Sequence, residues 1–326
     1  MRRSRAALAL AVLLPLAAGC RKQPPPEIPA INKLETYAFD PASPLEGRVK
    51  LIPQPLLEFF RGLDGRPDYD GYEPSAADRA LFLEYLRLLP PAYEKIFKAR
   101  CVGIYFVPGM VGNGLTDWIA GPGNKIYFHM ILNPAALKDD LSRTLTDRDK
   151  SCFIPRKGWS VRVDAGSKYK GLLYSLVHEG THGLDYAAGV TPYTDDTMPA
   201  YYRPRRPAAG GFFLKRWAGY SSPRPEADFH GRDKLSFYGL GGGPRLDISS
   251  APELYAGMTK GGFISLYGAR SWAEELAELA TFSVLDTLEQ PYEITVTSPA
   301  GKSAFKPMTS AAGNLTYEAM EYLERI

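Results

Sequence analysis

The segment VHEGTHGLDY, residues 177–186, constrains the possible folds of this chain more than any other stretch. It contains two of the four histidines, His178 and His182, and Glu179 directly follows the first of them. On an α-helix, side chains four residues apart lie on the same face, so both imidazoles can bind one metal ion. Glu179 lies about 100° further round the helix, where its carboxylate is adjacent to the ion instead of bound to it.

The spacing His-Glu-x-x-His predicts two zinc ligands and a general base, Glu179, that takes a proton from zinc-bound water. The other face of the predicted helix carries leucines that would anchor it in a hydrophobic core, namely Leu172, Leu173, Leu176 and Leu184. Catalytic zinc takes a third protein ligand. The pattern H-E-x-x-H-x-x-G-x-x-H would supply it locally, but Asp185 and Ala188 replace its glycine and its third histidine. The third ligand is therefore expected elsewhere in the chain.

Residues 265–282, SLYGARSWAEELAELATF, contain the best candidates for the third ligand. Glu274 and Glu278 lie one predicted helical turn apart, and small residues beside them would allow a close approach to the histidine helix. Ser271 and Glu274 also fit a capping box, in which the glutamate only closes the N-terminus of the helix. Both interpretations of Glu274 remain open at this point, and Glu275 is the alternative ligand.

At these residues the chain resembles the gluzincin metallopeptidases, most closely the branch that includes the anthrax lethal factor protease domain. In that branch the histidine motif is followed by Tyr-Gly and then by Glu-x-x-Ala-Glu. Here Tyr267 and Gly268 precede Glu274, and Ala277 and Glu278 complete the pattern. The resemblance implies that Glu274 is the third zinc ligand and that Glu278 is a supporting carboxylate behind the ligands. It also implies that Tyr267 donates a hydrogen bond to the developing oxyanion.

The same resemblance implies a zincin-like catalytic domain that binds Zn²⁺ and hydrolyses peptide bonds in a peptide or protein substrate. Glu179 would take a proton from the attacking water and pass it to the leaving amine. A different class of function stays open beside this one. In that alternative, the chain is a non-catalytic envelope lipoprotein with a structural metal site that serves as a binding or assembly module.

The hydrophobic pattern predicts an α+β fold with a small mixed sheet, a histidine-bearing helix and a second, glutamate-bearing helix. The predicted strands cover residues 101–107, 125–132, 159–164 and a hairpin over 292–305. The predicted helices include two between residues 75 and 98, two more at 252–260 and 271–288, and a last one at the C-terminus. The strand at 125–132 is expected to be an edge strand on which an extended peptide could pair.

The segment between the two motif helices and the two remaining histidines give weaker indications of a chemical role. Residues 187–250 are rich in Gly, Pro, Arg and Tyr, which predicts an irregular lobe inserted between the two motif helices. His129 falls in a predicted strand and is expected to be structural. His230 falls in the lobe, where a surface position and a role in stabilising an oxyanion are both open interpretations.

The first twenty residues, MRRSRAALALAVLLPLAAGC, have the layout of a secretory signal. Their end resembles the bacterial lipobox, in which the cysteine, here Cys20, is lipidated and becomes the new N-terminus. The expectation is a signal peptide over 1–19, a proline-rich tether over 20–45 and a folded domain over 46–326. The protein would be a lipid-anchored component of the bacterial envelope, at the outer membrane and facing the periplasm.

The net charge of the chain bears on whether nucleic acid is a partner. The formal net charge is +3, and Arg2, Arg3 and Arg5 in the signal account for it, so the mature domain is neutral. A neutral domain lacks the cationic surface that nucleic acid requires, so no nucleic-acid partner is expected.

Cys101 and Cys152 remain after lipidation, in a compartment that permits disulfides. We predict a disulfide between them, and a pair of buried thiols is the alternative.

Overall fold

The computed structural model describes residues 25–326, so the predicted signal peptide and Cys20 lie outside the described residues. The α-helices of the described residues are α1 (Gln54–Asp64), α2 (Ala76–Leu86), α3 (Pro91–Arg100), α4 (Leu141–Lys150), α5 (Gly171–Ala188), α6 (Gly210–Arg216), α7 (Ala251–Lys260), α8 (Trp272–Thr287) and α9 (Ala311–Glu324). Within residues 25–326, none of these helices combines the length and the apolar character needed to cross a membrane.

The strands form small sheets. They are β1 (Cys101–Phe106), β2 (Gly114–Ala120), β3 (Ile126–Leu132), β4 (Phe153–Ile154), β5 (Ser160–Asp164), β6 (Trp217–Gly219), β7 (Ser222–Pro223), β8 (Leu246–Asp247), β9 (Glu293–Ser298) and β10 (Gly301–Phe305). The first sheet has the order β1-β3-β2, with β3 parallel to β1 and antiparallel to β2. A second sheet, β10-β9-β5, is antiparallel, and β4–β8 and β6–β7 form two short pairs. The fold class is α+β with small mixed sheets, as the sequence predicts.

The expected sheet edge is in the wrong place, because the sequence analysis misses β2. β3 lies between β1 and β2, so the prediction that residues 125–132 form an edge strand is wrong. β2 lies at that edge and pairs with β3 from Gly114 opposite Leu132 to Ala120 opposite Ile126. Glycine and polar residues in β2 interrupt the β-branched pattern from which strands are predicted.

Helix α5 packs against β2, β3 and α8. Its predicted apolar face is fully buried, at Leu172, Leu173, Leu176 and Leu184. Gly183 lies so close to Phe128 of β3 that a Cβ atom at residue 183 would lie 2.5 Å from the ring, so this approach requires glycine. The helix ends at Gly189, whose left-handed φ of 69° allows its N–H to donate to the Asp185 carbonyl.

Helix α8 packs against both α5 and α9 and is buried along most of its length. It begins after Ser271, whose Oγ accepts a hydrogen bond from the Glu274 N–H at 3.2 Å. Ala273, Ala277 and Ala280 are buried, and their small side chains let neighbouring elements approach the helix closely. This packing brings the first turn of α8 next to the histidines of α5.

The folded domain begins earlier than predicted, so the tether expected over residues 20–45 is too long. Ile28, Ile31 and Tyr37 are buried against the first sheet and its surroundings. Asn32 Nδ2 donates to the Trp118 carbonyl of β2 at 2.7 Å. The prolines of this region predict extended chain, but the apolar residues between them bury enough surface to fix it on the domain.

The predicted disulfide between Cys101 and Cys152 is not formed, because both residues are free and buried. The Cys101 thiol lies at the start of β1 and donates to the Gly103 carbonyl at 3.6 Å. Burial raises the pKa of both thiols to about 12, so both stay protonated. A disulfide requires Cα atoms within about 7 Å, and the sequence does not contain that information. The alternative interpretation, two buried thiols, is correct.

The segment between α5 and α7 has mostly irregular backbone, interrupted by α6 and by short strands. Phe213 and Trp217 are fully buried and attach this segment to the main core. Tyr238 has a left-handed φ of 58°, in a glycine-rich turn that continues to Gly243. This turn borders the cleft described below.

Candidate metal centre

Three side chains from two helices converge on one point. His178 and His182 project from consecutive turns of α5, and Glu274 projects from the first turn of α8. Glu274 Oε2 lies 3.0 Å from His178 Nε2 and 3.5 Å from His182 Nε2. One donor atom from each residue lies within 4.8 Å of the other two. Between residues 25 and 326, no other group of three or more His, Cys, Asp or Glu side chains is close enough to hold an ion.

This donor set fits a divalent metal ion. Tetrahedral zinc with ligands at about 2.0–2.1 Å places neighbouring donor atoms roughly 3.3 Å apart. The separations from Glu274 Oε2 to the two histidines, 3.0 and 3.5 Å, lie on either side of that value. One more carboxylate, Glu179, is buried nearby, and buried negative charge needs a cation to balance it. The three converging residues therefore form a group that could bind a metal ion.

Glu179 lies beside this group and not within it. Its side chain is buried, and its Oε2 atom has no hydrogen-bond partner among the described residues. Burial raises the pKa of the Glu179 carboxyl, although the adjacent His178 and His182 act in the opposite direction. The Thr116 hydroxyl donates to the Glu179 carbonyl at 2.9 Å, which ties α5 to the edge strand β2. A carboxylate oxygen is thus left available to accept a proton next to the metal-binding group.

Glu278 contacts His178 on the ring nitrogen that faces away from Glu274. His178 Nδ1 donates to Glu278 Oε1 at 2.9 Å, whereas His178 Nε2 faces Glu274. Burial lowers the pKa of His178, but its hydrogen bonds to the two carboxylates outweigh burial and raise the pKa to about 10. A carboxylate behind a metal-binding histidine fixes the tautomer and the orientation of the ring. Glu278 lies where such a carboxylate would lie if His178 bound a metal ion.

Glu278 is held in turn by two residues that the sequence analysis missed. Arg148 Nη1 donates to Glu278 Oε2 at 2.6 Å, and the Tyr174 hydroxyl donates to Oε1 at 2.8 Å. Arg148 belongs to no motif, but it follows Leu141 and Leu145 at helical spacing on the buried face of α4. A charged residue in an apolar stripe was the one sequence signal that could have identified it.

The Glu274 side chain does not act as a helix cap, and it belongs to the group that could hold a metal ion. Ser271 caps α8 through the Glu274 N–H, but the Glu274 side chain points to the histidines and not back to Ser271. Only half of the capping box is formed. Burial raises the pKa of Glu274, but hydrogen bonds from His178 and His182 outweigh burial and hold the pKa well below its usual range.

Glu275, the alternative ligand, has other partners. Its Oε1 atom accepts from Arg216 Nε at 2.9 Å, and its Oε2 atom accepts from Trp217 Nε1 at 2.5 Å. The Glu275 side chain is only 1% exposed, so these donors are needed to stabilise its buried charge. Glu275 therefore joins α8 to the end of α6 and the start of β6 and does not contribute to the metal-binding group.

Tyr267 lines the same cleft as the candidate ligands. Its ring lies 5.5 Å from the His178 ring and packs edge-on against Phe237 at 4.9 Å between centroids. The Arg270 guanidinium lies 5.2 Å from the centre of the Tyr267 ring. Burial raises the pKa of Tyr267, so its hydroxyl keeps its proton and can donate at neutral pH.

The other two histidines are not brought to the centre. His129 is fully buried in β3 with its ring 5.9 Å from Tyr37 and 6.2 Å from Tyr105. Burial lowers the pKa of His129 to about 3, so this residue is a neutral core side chain. His230 is exposed on the segment between α5 and α7 and does not line the cleft, which leaves the surface interpretation.

The metal-binding group opens into a cleft with a volume of about 520 Å³. Residues 110–117 line the cleft, and they include the first half of β2. The glycine-rich turn lines it as well, through Tyr238 and Leu240. Asn113 Nδ2 donates to the Tyr238 hydroxyl at 2.9 Å and links these two parts of the lining. The cleft therefore contains both the candidate ligands and the edge strand next to Glu179.

Comparison with known proteins gives no family assignment. The chain matches no protein-family model, no curated protein and no solved structure. Its function is therefore inferred from the residues of the candidate metal centre and their geometry.

Proposed function

We propose that this chain is a zinc-dependent endopeptidase of the gluzincin type with a zincin-like catalytic domain. The observation that carries the proposal is the position of Glu179, which lies beside three metal-binding side chains in an open cleft. Its Oε2 atom has no hydrogen-bond partner among the described residues. A structural zinc site takes four protein ligands and needs no such carboxylate. Three ligands with an adjacent base are the arrangement of a catalytic site.

Zinc suits this donor set better than the other common divalent ions. His178 and His182 offer imidazole nitrogens and Glu274 offers one carboxylate oxygen, whereas Ca²⁺ and Mg²⁺ prefer sets made of oxygen alone. When bound, zinc would polarise the scissile carbonyl and acidify the attacking water. The proposal therefore assigns His178, His182 and Glu274 as the zinc ligands.

Glu179 supplies the acid–base chemistry in this proposal. Its carboxylate accepts a proton from the attacking water and then donates it to the leaving amine. Burial raises the Glu179 pKa towards the operating pH, which suits a group that must both accept and release a proton. Tyr267 stays protonated and donates a hydrogen bond to the negative charge that develops on the carbonyl oxygen.

The edge strand β2 binds the substrate in this proposal. Its residues from Gly114 to Asp117 line the cleft beside Glu179. An extended peptide that pairs with such an edge gains affinity from main-chain hydrogen bonds and presents alternate side chains to the cleft. β2 thereby takes the role that the sequence analysis expected for residues 125–132.

The purified full chain, loaded with zinc and incubated with a mixture of peptides, provides the test. We expect mass spectrometry to find internal cleavage by the unaltered chain and none after zinc is removed with a chelator. Glu179→Gln should retain zinc and cleave nothing, because the metal ligands remain and only the base is removed. A zinc-loaded, folded chain that cleaves no peptide would support the non-catalytic binding module instead.

A further inference from the structure

The guanidinium of Arg148 lies behind the metal centre, at the far side of Glu278. Both side chains of this ion pair are completely buried, and Arg148 Nη1 lies 2.6 Å from Glu278 Oε2. We propose that Arg148 is a positioning residue that sets the metal affinity of the centre by fixing Glu278 and, through Glu278, His178. This inference rests on the metal site of the proposed function.

The two oxygens of Glu278 have different tasks. Oε1 accepts from His178 Nδ1 at 2.9 Å and from the Tyr174 hydroxyl at 2.8 Å, while Oε2 accepts from Arg148. The carboxylate therefore has one orientation in which every donor is satisfied. Without the guanidinium, Oε2 would be a buried charge without its cation, and the carboxylate would rotate or shift to find another partner.

Arg148 is itself fixed in place. Its Nε atom donates to Asp149 Oδ1 at 2.9 Å, and Asp149 Oδ2 accepts from the Tyr255 hydroxyl at 2.8 Å. The chain of contacts runs from Tyr255 through Asp149, Arg148 and Glu278 to His178, and it joins α7, α4, α8 and α5. A guanidinium held at several points has little freedom, so it can hold the carboxylate in one geometry.

The orientation of Glu278 matters for the metal because it decides which nitrogen of His178 is free. With Nδ1–H donating to Glu278, the lone pair for a metal is on Nε2, which is the nitrogen that faces Glu274. Loss of such supporting partners lowers metal affinity by about 10- to 100-fold in other metal sites. Arg148 acts through Glu278 instead of contacting His178 directly, and Glu278 depends on Arg148 to balance its charge.

The chain contains a control for the general cost of breaking an arginine–glutamate pair whose glutamate is buried, although its arginine is 17% exposed. Arg216 pairs with Glu275 at 2.8 Å, and Glu275 neighbours the ligand Glu274 on the same helix. Glu275 has no contact with either histidine in the metal-binding group. Loss of Arg216 should therefore destabilise the fold without changing the metal centre.

The test compares zinc affinity in the full chain with Arg148→Met, Arg148→Lys, Arg216→Met and Arg216→Lys, each titrated with zinc against a chelating dye. We expect Arg148→Met to weaken zinc binding by about 10- to 100-fold and Arg148→Lys to weaken it less. Lysine keeps the positive charge of arginine but not its planar guanidinium with several N–H donors. Both Arg216 variants should bind zinc as tightly as the unaltered chain. Thermal unfolding confirms that the variants compared are folded.

The possible results distinguish failure of this inference from failure of the function on which it rests. Folded Arg148 variants that bind zinc as tightly as the unaltered chain would overturn the role of Arg148 and leave the peptidase proposal intact. Equal losses in the Arg148 and Arg216 variants would also overturn it, because they would show a general effect of destabilisation. If Arg148→Met does not fold, Arg148→Lys alone is compared with Arg216→Lys. An unaltered chain that binds no zinc would overturn both proposals.

Discussion

Gly114 of the edge strand lies directly against Glu179. A Cβ atom at residue 114 would lie 2.7 Å from Glu179 Cγ, which is closer than two carbon atoms tolerate, and 3.0 Å from Glu179 Oε1, which is a tight contact. Any larger residue at position 114 must therefore displace the carboxylate that we assign as the base. Glycine here keeps β2 close to α5 and leaves the base in place.

Gly114→Ala is expected to reduce peptide cleavage while zinc stays bound. The added methyl group displaces the Glu179 side chain and leaves the three candidate ligands in place, and a misplaced catalytic group can cost up to about 100-fold in rate. Gly62→Ala in α1 is the control, because a Cβ atom there would meet nothing within 4 Å. Steady-state cleavage and zinc content are measured together. A Gly114→Ala protein as active as the control would show that Glu179 does not need its present position.

Tyr267→Phe removes one hydroxyl and almost no volume. If this hydroxyl donates to the developing oxyanion, turnover should fall by roughly one to three orders of magnitude. Zinc content should be unchanged, since Tyr267 is not one of the three residues that could hold the ion. The measurement is kcat for a peptide that the unaltered chain cleaves. An unchanged kcat would assign Tyr267 to the packing around Phe237 alone.

Zinc binding near neutral pH should release a proton from His178. Carboxylates raise the His178 pKa to about 10 in the metal-free protein, so the ring is protonated on both nitrogens there. The metal requires a free Nε2, and about one proton must leave. Zinc affinity should therefore rise with pH until the pH exceeds the His178 pKa. Calorimetric titration in two buffers of different ionisation enthalpy counts the protons released, and equal heats in both buffers would contradict the expectation.

Local patterns predict the elements that carry the site, because their causes are local. The apolar face of α5, its two histidines and Glu179 all fall within a few helical turns. The start of α8 follows from a capping serine, Ser271. The choice of Glu274 as the proposed third ligand rests on a resemblance and not on periodicity, since Glu274 and Glu275 are adjacent and of the same residue type.

The features that the sequence does not reveal all depend on distant partners. The role of Arg148 depends on its contact with Glu278, which lies 130 positions away in the sequence. Ile31 is buried because it packs against the first sheet, and the sequence of this proline-rich segment does not predict that contact. The sequence of β2 resembles a glycine-rich connection, and only its pairing with β3 shows that it is a strand. In each case, tertiary packing overrides the local signal.

Zinc affinity and peptide cleavage, measured on the same preparations of Glu274→Ala and Glu179→Gln, test the central claim most directly. Both variants should be nearly inactive. Glu274→Ala should lose zinc affinity because it lacks a ligand, whereas Glu179→Gln should bind zinc as the unaltered chain does, because it lacks only the base. Glu275→Ala, the neighbouring control, should retain zinc. Undiminished zinc affinity in Glu274→Ala, or absence of zinc binding by the unaltered chain, would contradict the assignment of His178, His182 and Glu274 as a catalytic zinc site.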